Sequence, residues 1–401
     1  MRLVHLSDLH LGYRQYQRLT PGGVNQREAD VAATFRATID RVIALAPDAI
    51  VIAGDIFHTV RPTNQAILHA FIQFGRLTRS LPDAVVVLVA GNHDTPRSAE
   101  TGGILPLFRQ LGIQVVDRDA ELLTFPDRDL SILAVPDVLG IQRPSLKPAA
   151  GGGGTRYNVL LLHGEVQGML PASVAASDRA AVEIAREDLH AKEWDYVALG
   201  HYHVYREIAP NAYYSGSIDY TSANTWGELY EERVAGVPGK GFVEHDLESG
   251  AHHFHPIPPA RSLIDLPHVN AHGLGPAEVD ARIRAAIDMC EGGIDDKVVR
   301  LTIREIPRSI VRELDHKAIR EYKRRALNFN LDLRAPERRA SGAPGAPGSR
   351  RLIELKDVVR EKLAGRPLDA DIDRAAFVQR ALDYIDQAQA AEVAPAALAE
   401  T

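Results

Sequence analysis

The chain of 401 residues contains a single cysteine, Cys290. One thiol builds neither a disulfide framework nor a multi-thiolate zinc site, so any metal ligands must be nitrogen and oxygen donors. Such cysteine usage fits a reducing compartment. No uncharged apolar stretch approaches the length that crosses a bilayer. Positive charge is not in surplus either, because 46 Lys and Arg against 53 Asp and Glu leave a net −7. That balance argues against a protein that holds nucleic acid mainly by bulk attraction. It does not exclude an enzyme acting on phosphate, since bound cations invert the local potential. A predicted strand follows Met1-Arg2 directly and leaves no room for a removable signal peptide. The expected location is the cytoplasm, with no membrane partner.

An apolar fraction of 45% is enough to fill an ordinary globular core. Up to about residue 205, apolar β runs at 3–6, 49–52, 85–89, 131–135, 159–162 and 196–199 alternate with other segments, including helical patterns at 29–45 and 64–80. The alternation predicts an α/β fold with much of its sheet buried on both faces. Gly151 to Gly154 reads as a surface linker. Past His203 the pattern becomes turn-bounded β segments at 212–217, 241–246 and 252–257, expected to complete a second sheet, and Pro256, Pro258 and Pro259 close a first domain of residues 1–260.

A compact αβ module is expected over 261–335, leaning on the first domain, with strands at 263–266, 297–306 and 327–333 and helices at 276–290 and 308–325. Residues 336–351, rich in Gly, Pro, Ala and Ser, form a predicted flexible linker. Over 352–388 two short amphipathic helices follow, Leu352, Leu355, Val359 and Leu363 lining one and Phe377, Ala381, Tyr384 and Ile385 the other, with Gly365-Arg366-Pro367 between them. Isolated helices of that length need a partner surface. The tail, 389–401, is expected to be disordered.

The chemistry gathers at strand ends. Asp8-x-His10, Gly54-Asp55, Gly91-Asn92-His93-Asp94, His163-Gly164 and Gly200-His201-x-His203 each follow an apolar β run. An open α/β sheet places its ligands at the carboxyl ends of its strands. Asp8 and His10, two apart on extended chain, point the same way and reach one cation. Asp55 has two carboxylate oxygens and is the best candidate to bridge two cations held about 4 Å apart. Asn92 offers an amide oxygen to a hard cation. His93 stands beside the site, where Asp94 could orient its ring and keep it protonated as a general acid. His163, His201 and His203 repeat the strand-then-imidazole arrangement, and His58 lies near enough to Asp55 to face the same pocket. Taken singly, each of these reads as an ordinary turn or loop residue; their company in one domain points to metal. The cluster of His252, His253 and His255 has no acidic neighbour suitably placed and is read as structural, as are His5, His69, His190 and His245.

Donors rich in imidazole, with Asp and Asn and no thiolate, suit manganese, iron(II) or zinc better than calcium or a lone magnesium. Two such ions flanking a phosphodiester activate water for its hydrolysis.

Taken in order, these signatures resemble the motif series of the calcineurin-like metallophosphoesterases. Within that superfamily, Ser7-Asp8-Leu9-His10-Leu11-Gly12, Ala53-Gly54-Asp55-Ile56-Phe57-His58, Tyr214-Ser215-Gly216-Ser217 and Lys240-Gly241-Phe242 are similar to the SbcD-type DNA repair exonucleases. The resemblance, over residues 1 to about 335, implies a two-sheet sandwich flanked by helices and followed by a small capping domain. It implies one metal on Asp8, His10, Asp55 and His203 and another on Asp55, Asn92, His163 and His201, with manganese the expected ion. His93, aided by Asp94, is implied to protonate the leaving 3′ oxygen, and His58, where many bacterial relatives carry Asp, to stabilise the pentacoordinate phosphate.

The implied activity is that of a 3′-5′ exonuclease and single-strand endonuclease acting on DNA ends, single strands and hairpins. The resemblance further implies the nuclease subunit of a double-strand-break repair complex with an SbcC-type coiled-coil ABC ATPase, bound through the helices of 352–388. A homodimer is also expected. Lys323-Arg324-Arg325, with Arg334, Arg338 and Arg339 behind, suits phosphate contacts and equally a solvated helix end. Two rival readings stand beside this one: a phosphodiesterase for a nucleotide or other small diester, and a catalytically silent scaffold that keeps the fold for protein binding.

Overall fold

Strict two-residue alternation along the first strands sorts their side chains onto opposite faces, and the computed structural model shows where each face goes. It describes residues 1–96, 102–140, 145–148, 154–168, 180, 182–336, 360, 362–363 and 373–393. Two units are present, Met1–Pro336 and Glu337–Thr401.

In the first unit one six-stranded sheet runs, edge to edge, His252–Pro256, Gly241–Asp246, Arg2–Leu6, Ala49–Ala53, Val85–Val89 and Gln114–Val116. The last four are mutually parallel. A second sheet runs Arg206–Ala209, Ala212–Tyr214, Tyr196–Gly200, Tyr157–His163, Leu130–Val135 and Glu121–Phe125, again with four parallel strands at its centre. Between the sheets lie Leu3, Val51, Val87, Val159, Leu161 and Tyr196, with the small side chains of Ala49, Ala53, Ala134 and Ala198 among them. The opposite faces carry Val4, Leu6, Ile50, Ile52 and Leu88 on one sheet, and Leu160, Leu162, Val197 and Leu199 on the other.

Helix Gln26–Leu45 covers the first sheet with Val31, Phe35, Ile39 and Val42, one helical stripe, and the side chain of Asn25 caps its first turn. Helix Asn64–Ser80 does the same with Ala66, Ala70, Phe74 and Leu77, capped by Thr63. This is the mixed α/β sandwich expected. One expectation is corrected: the hairpin Gly241–Asp246 and His252–Pro256 joins the first sheet, antiparallel to Arg2–Leu6, and not the second. That position covers what would otherwise be an open edge of the amino-terminal strand.

Leu263–Asn270, Val298–Arg304 and Asn328–Leu333 form a separate parallel sheet of three strands, crossed by helix Pro276–Asp288 and a helical stretch. The stretch expected as one helix over 308–325 is two, Arg308–Glu313 and His316–Arg325, because Asp315 turns its carboxylate back onto the N–H groups of Lys317 and Ala318 and caps the second. Fully buried Arg27, on the first helix, donates to Asp219 at 2.8 Å, and its neighbour Asp30 receives Arg261 at the start of this module.

In the second unit, helix Arg374–Val393 begins at Asp373, whose side chain accepts from the N–H groups of Ala375 and Ala376. Most of the expected linker 336–351, helix 352–364 and tail lie outside the described residues, as do Gly151 to Gly153, Arg338 and Arg339. No helix among the described residues is long and apolar enough to cross a membrane.

Between the sheets, His5 meets the Tyr196 hydroxyl at 3.1 Å and half-buried His252 meets that of Tyr205 at 2.7 Å. Burial pushes the His5 imidazole down to about 3 and His252 to about 4. Both then bind a proton more readily in the unfolded chain, so stability is complete above about pH 6.5 and declines as pH falls toward 3. We expect His5→Gln to flatten the dependence of unfolding free energy on pH between 6.5 and 4, measured by urea denaturation; an unchanged slope would contradict the assignment.

Candidate metal centre

The two sheets end together, and their carboxyl-end loops are tied to one another. The N–H groups of Asp8, His10 and Leu11 donate to the carbonyls of Gly54, Asp55 and Ile56 at 3.1, 2.9 and 2.9 Å, so the loops after the first two parallel strands run as a zipped pair. Four of the expected ligands adopt backbone angles that L residues rarely take, Asp8 at φ 52°, His10 at 44°, Asp55 at 51° and His201 at 103°. Strain of that kind persists only where surrounding structure enforces it, and it clusters at functional sites.

Glycine makes the approach possible. Gly54, at φ +85°, sits where a Cβ would lie 2.3 Å from His163 Nδ1, and a Cβ on Gly91 would lie 2.1 Å from an Asp55 carboxylate oxygen.

All seven expected ligands converge here. Three triads, Asp8 with His10 and His203, Asp8 with Asp55 and His163, and His10 with His58 and His93, have donor atoms within 4.8 Å of one another. His10 Nε2 and His203 Nε2 approach to 3.0 Å, and His203 Nε2 lies 3.8 Å from Asp8 Oδ1. Asn92 Oδ1 faces His163 Nε2 at 3.0 Å and His201 Nδ1 at 3.3 Å. Between these groups, Asp55 Oδ2 is 3.6 Å from His10 Nε2 and 3.7 Å from His163 Nε2, so one carboxylate oxygen faces both. Every donor is nitrogen or oxygen, and the mixture of imidazole, carboxylate and one amide fits borderline divalent cations such as manganese, iron(II) or zinc.

The ring of His163 donates through Nδ1 to the Ala53 carbonyl at 2.7 Å, which turns its Nε2 lone pair inward. Burial, with four imidazoles nearby, holds His10 well below its ordinary 6.5, in the neutral form that ligates. Burial and the charge of Asp8 push the Asp55 carboxyl up, against His163 and His93, which lower it. A cation between them removes that cost.

The expected catalytic residues stand beside this cluster. His93 donates from Nδ1 to the His58 carbonyl at 2.8 Å, and its ring lies 4.8 Å from that of His10 and 5.3 Å from that of His58. His58 Nδ1 is 3.4 Å from His10 Nδ1. Asp94, expected to orient the His93 ring, instead holds backbone. Its carboxylate accepts the N–H groups of Ile56, Phe57 and Gly91 at 3.0 to 3.1 Å and so pins two of the loops together. Burial and Asp55 push Asp94 up to about 7. One partner of the His93 ring is the backbone carbonyl of His58.

Sequence reading did not find Glu228 and Glu232, which stand with Lys240 buried behind His203. A signal was present. Like charges four apart on a helix repel, and Glu228 with Glu232 followed by a lysine suggests a buried cation between them.

A sandwich with these donors at its strand ends is the calcineurin-like phosphoesterase arrangement, and the chain belongs to that family, whose sequence profile matches residues 1–205. Among individual proteins it is similar to the "DNA double-strand break repair protein Mre11" of several archaea. Identity is 32% over 214 residues with that of Sulfolobus acidocaldarius, covering 52% of this chain and 50% of that protein. It is 26% over 253 residues with that of Methanococcus maripaludis, covering 62% and 63%, and 25% over 369 residues with that of Methanosarcina acetivorans, covering 82% and 56%. The chain thus matches between 50% and 63% of the length of these relatives.

Replacing Gly54 by alanine forces a Cβ into the His163 ring. Gly54→Ala should displace His163 and weaken divalent-cation binding by the folded chain, measured by equilibrium dialysis; unweakened binding would show that the close approach is dispensable.

Proposed function

We propose that the chain is a DNA nuclease of the double-strand-break repair type that hydrolyses phosphodiesters with two divalent cations, manganese the expected ion. The observation that carries the reading is the Asp55 carboxylate facing both donor sets, with two imidazoles outside them. Asp8, His10, Asp55 and His203 would hold one ion, and Asp55, Asn92, His163 and His201 the other. Ions held there would polarise the phosphate and activate the attacking water.

The chain's own residues do the rest. His93, its Nδ1–H engaged by the His58 carbonyl, presents Nε2 to the substrate. As water attacks phosphorus and the P–O3′ bond breaks, the imidazolium gives its Nε2 proton to the leaving oxygen. His58, stacked on that ring at 5.3 Å, faces the phosphate as its charge grows. Asp94 supports the reaction indirectly, through the loops it ties.

The substrate reading, ends, single strands and hairpins cut by 3′-5′ exonuclease and endonuclease action, draws on the similarity to repair proteins and on the second module, 261–335. Arg325, paired there with Asp295 at 2.7 Å, and Arg324, exposed and paired with Glu321 at 2.6 Å, suit phosphate contacts more than base reading. The partner is an SbcC-type coiled-coil ABC ATPase, docked through 352–388, where Phe377 and Tyr384 present 38% and 60% of their surface on one helix. A homodimer is supported by Leu68 and Ile72, a turn apart on helix Asn64–Ser80 and 60% and 46% exposed. Such work belongs in the cytoplasm, at the chromosome.

His93→Ala should keep both Mn²⁺ ions and lose DNA cleavage by about 10²–10⁴-fold, the usual worth of a general acid. The assay uses manganese with single-stranded, hairpin and duplex-end DNA, with and without the ATPase. Undiminished cleavage in the variant would refute the role of His93. Cleavage of a small diester with every DNA left intact would favour the nucleotide or small-diester enzyme, and no hydrolysis of either, the silent scaffold. Leu68→Asp should shift the chain from dimer to monomer in analytical ultracentrifugation; a monomeric parent would end the dimer reading.

A further inference from the structure

Behind His203 a buried network reaches both ends of one residue. Glu228 Oε1 accepts from His203 Nδ1 at 3.1 Å, and Glu228 Oε2 accepts from Lys240 Nζ at 2.6 Å. The same ammonium donates to the His203 backbone carbonyl at 2.9 Å, pairs with Glu232 Oε1 at 3.1 Å and lies 4.6 Å from the centre of the Tyr220 ring. Tyr220 in turn donates to Glu232 Oε2 at 2.6 Å. Lys240, Glu228 and Glu232 are 2%, 7% and 3% exposed.

We infer that Glu228 is a positioning residue for metal, fixing His203 in the tautomer and orientation that aim Nε2 at Asp8 and His10. A ring whose Nδ1–H is held by a carboxylate has its lone pair on Nε2, and that atom faces Asp8 Oδ1 and His10 Nε2. A purely structural ion pair requires one carboxylate for Lys240. Here there are two, and only Glu228 also reaches the imidazole. Carboxylates in this position fix ring orientation and raise ligand basicity.

The inference rests on reading Asp8, His10 and His203 as ligands, and the test separates the two. Mn²⁺ binding to the full chain is measured by titration calorimetry. The parent should bind two ions and His203→Ala should lose one. Glu228→Gln should weaken that same ion about 10–100-fold, as loss of such a partner does elsewhere, and leave the other unchanged. Glu232→Gln, which removes a Lys240 partner but leaves the His203 bond, should bind both ions like the parent.

Parent-like affinities in folded Glu228→Gln, or an equal loss in Glu232→Gln, would overturn the positioning role. Two ions bound normally by His203→Ala would instead overturn the ligand reading and the inference with it. Should Glu228→Gln fail to fold, nitrogen NMR of the histidine-labelled, metal-free parent decides, with the His203 signal assigned through His203→Ala. Nδ1–H on His203 supports the role and Nε2–H refutes it.

Discussion

The carboxylate of Asp55 sits where two sheets end, and much of the rest of the fold serves to make that position tenable. It is 1% exposed, in a left-handed backbone conformation, within 3.7 Å of imidazoles from both sheets. Taking a carboxylate out of water costs several kcal/mol, about the net stability of many domains, unless charges and hydrogen bonds replace the solvent. The replacement comes from the His93 N–H at 2.9 Å, from the imidazoles and, on our proposal, from metal. Nothing larger than hydrogen fits at Gly91 beside it.

Such a site needs the sheets in register. The alanines between them let the layers close, and the Ala53 carbonyl on the first sheet accepts the ring of His163 from the second. A sandwich spaced by larger side chains would hold the same ligands apart. The loops are then tied without metal, by the three N–H bonds to Asp94 and by the zipped pair of chains after the first two strands.

The candidate site was more legible in the sequence than its supports. Each expected ligand follows a β run and a turn, both local signals, so Asp8, His10, Asp55, Asn92, His163, His201 and His203 could be picked out without knowing how the sheets pack. Local signals do not say which edge a strand joins, and the 241–256 hairpin was placed in the wrong sheet for that reason. Nor did they separate 308–325 into two helices, because an aspartate that caps from within a helical run looks like any polar residue of its exposed face. Helix Thr225–Ala235 escaped notice, and Glu228 and Glu232 with it.

Residue order alone determined the kinds of donor, the absence of thiolate ligands, the alternation of strand and helix, and the strand ends at which the donors stand. Tertiary structure decided which donors face one another, that Asp94 binds backbone while the His58 carbonyl takes the His93 ring, and that a lysine and two glutamates stand behind His203. The physical reason is range. Side-chain alternation and turn chemistry act over a few residues, whereas hydrogen bonds such as His201 N–H to Asp8 join positions 193 apart in the chain and exist only once both sheets have closed.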